Sequence, residues 1–325
     1  MTQRWKVVFT DESIRPEAAD LLRECCAVKL LDAYPSEATL VDACRDADAI
    51  LARLGVVTAP VIQAAPRLRI IARHGAGSDM VDLPAATRHG VVVTTTGPAN
   101  AAAVAEYTFA LLLALLRHVP TAEAGMRAGV WSRSPLVGES LEGKTLGIVG
   151  FGAVGSRVAR IAAGFGMRVI AAAGRSDSAT TKPVPVLPLE QMLATSDVVS
   201  LHARLVPATA CIMDAAAIEA MKPGAVLVNT ARGELINETA LVAALQSGHL
   251  SGAALDTYAA EPLAADSPVR RLPNVVLSPH VAGQTREALL RVGLAAARAI
   301  LDELSGRRPA FVVNPEAYAM RASTR

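Results

Sequence analysis

A chain of 325 residues is about twice the usual single-domain length, so two domains are expected. An apolar content of 52% is ample for a sizeable core, and with 3% aromatic residues that core must be built from Ala, Val and Leu. The formal net charge of +2, with arginines scattered and no basic run, gives no sign of a nucleic-acid or membrane surface.

The N-terminus, MTQRWKVVFTDES, has no apolar h-region and does not read as a signal peptide. From there short β-branched runs alternate with Ala/Leu-rich stretches, the pattern of parallel α/β architecture. WKVVFT precedes a helix near 16–25, then come VKLL, a helix near 36–45 and AILAR at 49–53. A helix opening at Thr58 with Pro60 in its first turn, LRIIAR at 68–73 and GVVVTTT at 90–96 complete one small open sheet ending near residue 98. A helix over about 100–118 is too densely apolar for a surface helix and should pack on both sides. Its run FALLLALL at 109–116 is far short of the ~20 residues of a membrane span. Residues 119–142, with Trp131, read as an irregular arm.

Seven candidate strands follow between 145 and 279, enough for a full doubly wound sheet: TLGIVG, RVIAAA, VPV, DVVSL, AVLVNT, GAALDT and NVVLSP. The last helix, 286–304, has no further sheet to serve and should cross back to the first domain, making that domain discontinuous. The four cysteines (Cys25, Cys26, Cys44, Cys211) have neither CxxC spacing nor a nearby histidine pair, so no metal site or disulfide framework is expected. Reduced, buried cysteines fit a soluble cytoplasmic protein.

Gly150, Gly152 and Gly155 form G-x-G-x-x-G in TLGIVGFGAVGSRVARI, between an apolar strand and an Ala/Val/Ile helix. The first glycine permits the tight turn, the second lets a pyrophosphate approach, and the third lets helix and strand pack closely. Amides of the loop, Ala153 and Val154 included, and the helix N-terminus would hold the phosphates of a dinucleotide. An NAD enzyme offers Asp or Glu at the end of the next strand, about 20 residues on. Here RVIAAAGRSDS places Ala173, Gly174, Arg175 and Ser176 there. A carboxylate would repel a 2′-phosphate, whereas Arg175 can grip it and Ser176 can add a donor. NADP is therefore the expected preference with NAD possible, and an Arg175 that merely solvates a loop stays open.

VNTARGEL at 228–235, LDTYAAEPL at 255–263 and LSPHVAG at 277–283 each put a charged or titratable residue beyond an apolar strand. That is the edge where doubly wound sheets bind ligands. Reducing a 2-oxo acid by hydride needs a cation for the carboxylate, which suits Arg232, and a proton donor for the carbonyl, which suits His280. Glu261 as a neighbour would stabilise the imidazolium.

With LGIVGFGAVG, MKPGAVLVNTARGELI, GAALDTYAAEPL, SPHVAG, RHGAGSDMVDLPAATRHGVVV and AAAVAEYTFALLLALLR, the chain resembles the D-2-hydroxyacid dehydrogenase family along essentially its whole length. The family includes phosphoglycerate dehydrogenase and glyoxylate/hydroxypyruvate reductases. The resemblance implies a doubly wound, Rossmann-like cofactor domain over 100–285, inserted into a smaller flavodoxin-like α/β substrate domain over 1–99 and 286–325. It implies a homodimer formed through the helix and arm at 100–142. It makes Arg232, Glu261 and His280 catalytic, and gives the substrate carboxylate the amides of Ala76 and Gly77. Arg53 matches a position that reaches the substrate in some members, although a surface arginine fits as well. Asp256 would contact the nicotinamide carboxamide or make a strand-end hydrogen bond, and His202, Thr230 and Ala231 would line the cofactor cleft.

The chain departs from the family pattern in lacking the acidic residue, as the NADPH-preferring reductases do, and in carrying Ala203 and Arg204 where a residue followed by proline is common. The expected activity is an NADPH-preferring reductase of glyoxylate or hydroxypyruvate, with a small 2-oxo or 2-hydroxy acid as the partner molecule. An NAD-linked phosphoglycerate-type dehydrogenase is the second reading, set against a chain of 325 residues with no appended regulatory domain. A dinucleotide-sensing interaction protein is the third, since such proteins retain the triad.

Overall fold

A computed structural model describes residues 4–172 and 183–323. The chain forms two compact units, Met1–Asn100 with Gln284–Arg325, and Ala101–Gly283.

In the first unit, β1 (Trp5–Phe9), α1 (Pro16–Arg23), β2 (Cys26–Leu30), α2 (Glu37–Cys44), β3 (Ala49–Ala52), α3 (Ala59–Gln63), β4 (Ile70–Arg73), α4 (Leu83–Arg88) and β5 (Val92–Thr94) alternate. The five strands are parallel in the order β2-β1-β3-β4-β5, the flavodoxin-like arrangement. Side chains alternate across the sheet. Val7 and Phe9 of β1 join the core with Leu22 of α1, whereas Val8 faces Leu40 of α2 and Ile62 of α3. Local chemistry sets the helix starts: Ser36 accepts from the Thr39 amide at 3.2 Å, and Asp82 from the Ala85 amide at 2.9 Å. The late helix does belong here, placing Ala296, Ala297 and Ile300 in the core beside Val7 and Phe9.

In the second unit, α5 (Ala101–Leu116) and α6 (Val119–Arg127) precede the sheet strands β6 (Thr145–Val149), β7 (Arg168–Ala172), β8 (Val186–Leu187), β9 (Val198–Leu201), β10 (Ala225–Asn229), β11 (Leu250–Leu255) and β12 (Val275–Leu277). All are parallel, in the order β12-β11-β10-β9-β6-β7-β8, and the order reverses between β6 and β9. Connecting helices are α7 (Gly155–Gly164), α8 (Leu189–Thr195), α9 (Ala215–Glu219) and α10 (Glu238–Ser247). The first unit's remaining helices are α11 (Arg286–Leu304) and α12 (Ala317–Ser323).

Two expectations need correction. The segment 119–142 is not irregular throughout, because α6 forms within it, with Pro120 in its first turn and an i,i+4 ion pair between Glu123 and Arg127. The cysteines are free, but Cys25 and Cys211 are exposed; Cys26 and Cys44 alone are buried. No single described helix is long and apolar enough to cross a membrane.

Candidate active site

The glycine loop leaves β6 and enters α7. Gly150 has φ +97°, and a Cβ there would stand 2.4 Å from the Ala203 nitrogen. A Cβ on Gly155 would stand 2.3 Å from the Gly150 carbonyl oxygen, so only glycine lets α7 pack this closely on the loop. A Cβ on Gly152 would meet nothing within 4 Å, leaving open space above the turn. Val154, at the N-cap of α7, makes no side-chain cap hydrogen bond, so among the described residues the first amides of the helix have no side-chain cap. Tight turn, open approach, close packing and uncapped amides together fit the pyrophosphate of a dinucleotide, with Ala153 and Val154 on the loop.

Across the strand reversal, His202 follows β9. Its amide donates to the Val149 carbonyl at 2.7 Å, and its Nε2 lies 2.8 Å from the Ser200 hydroxyl. Burial pushes the imidazole down to about 3, so it is neutral at ordinary pH.

His280, Glu261 and Arg232 stand at the ends of β12, β11 and β10. His280 Nδ1 lies 2.7 Å from Glu261 Oε2, and both side chains stay partly open, 46% and 36% exposed. Glu261 Oε1 accepts from the Tyr258 amide at 3.0 Å. Burial works against the Glu261 charge, but the hydrogen bonds from His280 and Tyr258 and the charges of His280 and Arg232 outweigh it. They hold the carboxyl below the usual carboxylate range. The carboxylate fixes Nδ1, leaving Nε2 as the nitrogen that can exchange a proton with a substrate.

Buried polar residues hold this arrangement. His280 adopts a left-handed conformation, φ +55°, in a turn fastened to Asp256, which is 0% exposed. The His280 amide donates to the Asp256 carbonyl at 2.8 Å. The Asp256 carboxylate accepts from the Ser278 hydroxyl at 2.6 Å and from the Val281 and Ala282 amides at 2.9 and 2.8 Å. Tyr258 donates its hydroxyl to the carbonyls of Leu255 and Ser278, at 3.1 and 3.0 Å, and burial pushes its phenol up to about 12. Asn229, also 0% exposed, accepts from the Ala231 amide at 3.0 Å and donates to the Arg232 carbonyl at 2.8 Å. A Cβ on Gly233 would lie 1.9 Å from the Tyr258 carbonyl carbon, so glycine is needed for the arginine loop to meet the glutamate loop. Thr230 Oγ1 lies 3.0 Å from Thr108 Oγ1 of α5.

Arg53, Ala76 and Gly77 follow the neighbouring strands β3 and β4 in the first unit. Arg53 pairs with buried Asp11 at 3.0 Å and donates to the Ser13 hydroxyl and, at 3.3 Å, to Gln284 Oε1. His74, just before the Gly75–Gly77 turn, is buried, and its Nε2 has no hydrogen-bond partner among the described residues. Burial, then the nearby Arg53 and Arg73 charges, push it down to about 3.

The structure thus gathers the expected Arg232, Glu261 and His280 at one sheet edge and Arg53, Ala76 and Gly77 at the other. It engages Asp256 in strand-end hydrogen bonds. Arg175 and Ser176 lie outside the described residues. Sequence reasoning passes over Asn229, Gly233, Tyr258 and Ser278, although all stand inside the quoted stretches. A polar residue or glycine flanking a reactive one at a strand end is the signal that would find them.

Residues 109–282 match the family model described as D-isomer specific 2-hydroxyacid dehydrogenase, NAD binding domain. A glyoxylate reductase of Aeropyrum pernix is 38% identical over 97% of this chain and 97% of its own length. A D-3-phosphoglycerate dehydrogenase of Synechocystis is 36% identical over 94% of this chain, which spans only 56% of that protein. Among solved structures, an NADPH-dependent glyoxylate/hydroxypyruvate reductase of Sinorhizobium meliloti, in complex with NADP and malonate, is similar with TM-score 0.86. It is 29% identical over 97% of this chain and 98% of its own.

Proposed function

The chain belongs to the D-isomer specific 2-hydroxyacid dehydrogenase family, and we propose that it is an NADPH-preferring reductase of a small 2-oxo acid such as glyoxylate or hydroxypyruvate. As a member of that family it is an oxidoreductase acting on CH–OH groups, with an NAD-binding domain. The hydrogen-bonded pair of His280 and Glu261, 2.7 Å apart at the strand edge with Arg232, carries the chemical reading. The stretch AAAGRS at 171–176, which lacks a carboxylate, carries the cofactor reading.

When bound, the nicotinamide dinucleotide supplies the hydride for carbon 2 of the substrate. Arg232 binds the 2-oxo acid by its carboxylate and carbonyl, with the amides of Ala76 and Gly77 as further carboxylate donors and Arg53 as a reader of the remaining substituent. His280 gives its Nε2 proton to the carbonyl oxygen as the alkoxide develops. Glu261 stabilises the imidazolium before transfer and keeps the ring oriented. Asp256 acts through the histidine turn as a positioning residue. The glycine loop holds the pyrophosphate, Thr230, Ala231 and His202 line the cofactor cleft, and Arg175 with Ser176 holds the 2′-phosphate. In this reading the second unit is the dinucleotide-binding domain, the first the substrate-binding domain, and the protein is a homodimer through the region 100–142.

Initial rates with NADPH and NADH, each with glyoxylate and hydroxypyruvate, test the proposal. The expected result is turnover with a clear NADPH preference in kcat/KM, which Arg175→Asp abolishes by weakening NADPH far more than NADH. An NADH preference in the unaltered protein would overturn the cofactor assignment, and absence of turnover on both acids would overturn the substrate.

A further inference from the structure

We propose that Arg204 is a specificity residue for the dinucleotide, reading the phosphate on its adenosine ribose. The inference rests on the dinucleotide reading above but uses a residue that reading does not need.

Ligands of doubly wound sheets bind where the strand order reverses, here between β6 and β9. The glycine loop forms one wall of that crevice. The segment after β9 forms the other, and the two touch backbone to backbone. A Cβ on Gly150 would stand 2.4 Å from the Ala203 nitrogen and 2.5 Å from the His202 carbonyl carbon. Arg204 is the next residue, so its side chain starts at the rim of the phosphate cradle.

Its backbone is held firmly. The Arg204 carbonyl accepts from the Thr209 hydroxyl at 2.5 Å, that hydroxyl accepts from the Val206 amide at 2.9 Å, and the Thr209 amide donates to the Val206 carbonyl at 2.8 Å. The side chain, by contrast, is exposed and makes no hydrogen bond or ion pair among the described residues. The segment 202–212 contains no carboxylate, and its only other titratable nitrogen, on His202, is neutral. A guanidinium with no ion-pair partner among the described residues is therefore presented on a fixed turn.

The pyrophosphate has its own donors in the amides at the start of α7. The adenosine ribose belongs at the end of β7, on the far side of β6. Two strand spacings, about 10 Å, separate the ends of β7 and β9. A group placed between them lies within the combined reach of the ligand and a long, extended arginine. A phosphate on that ribose is the part of the ligand whose charge this guanidinium can meet.

The test is equilibrium binding of NADPH and of NADH, followed by nicotinamide fluorescence without turnover, to the unaltered protein, Arg204→Ala and Arg204→Lys. Arg204→Ala should weaken NADPH roughly 2- to 5-fold at low salt, the scale of an exposed ion pair, and leave NADH unchanged. The loss should shrink as salt screens the charge, and Arg204→Lys should retain most of the affinity. Equal losses for both dinucleotides would overturn the proposal by assigning Arg204 to a part that both share. Unchanged NADPH affinity in Arg204→Ala, with an unchanged Tm, would overturn it as well. A protein that binds neither dinucleotide would overturn the underlying cofactor reading together with it.

Discussion

At the edge of the seven-stranded sheet, His280 and Glu261 remain partly open to solvent while the groups that hold them, Asp256 and Asn229, are fully buried. At the edge of the five-stranded sheet the order is inverted. The guanidinium of Arg53 is 13% exposed, its counter-ion Asp11 is 0% exposed, and His74 is buried with no partner for Nε2 among the described residues. One edge keeps titratable atoms accessible and spends backbone amides on a hidden carboxylate. The other spends its side chains on one another. The first arrangement suits groups that exchange protons, and the second suits groups that present fixed dipoles and charge.

The hardest blow to that contrast comes from His280→Ala, which should lower turnover by ~10²–10⁴-fold if the accessible imidazole is the proton donor. Stopped-flow rates near the unaltered value would remove the chemical distinction between the two edges. Next comes Asp256→Ala, which strands the Ser278 hydroxyl and the Val281 and Ala282 amides in a buried site. It should cost about 3 kcal/mol or more of stability and reduce kcat even well below the new Tm. Thermal melts that do not move would show that the turn stands without its carboxylate.

The smallest effect belongs to the other edge. The folded His74 titrates near 3 and the unfolded residue near 6.5, so between those values the unfolded chain binds the extra proton. The stability from keeping this ring neutral is intact above about pH 6.5 and is lost as pH falls toward 3. At pH 5 the loss is about 2 kcal/mol. Urea midpoints at pH 7 and pH 5 should therefore draw closer together in His74→Gln than in the unaltered protein, and parallel curves would contradict the buried, neutral assignment.

The strands, the glycine loop and the three reactive residues are legible in the sequence because each lies where an apolar run stops, and position along a strand dictates which edge it reaches. Asn229 and Tyr258 escape because their partners are main-chain atoms, and the Tyr258 hydroxyl bonds the Ser278 carbonyl, which no local pattern displays. Helix α6 escapes because it buries no residue, so no apolar period marks it. Exposure of Cys25 and Cys211 is equally invisible, since residue type alone favours burial.

The placement of α11 in the core of the first unit has a consequence for how the chain acquires its shape. Val7 and Phe9, early in the chain, pack with Ala296, Ala297 and Ile300, late in it. Those contacts join residues about 290 apart in sequence, the separation of Val7 from Ala297, and closing so long a loop precedes their reward. The uninterrupted unit Ala101–Gly283 meets no such wait. On the ribosome the later-made unit can finish first, and the five-stranded sheet, though synthesised before it, completes its core only when α11 emerges.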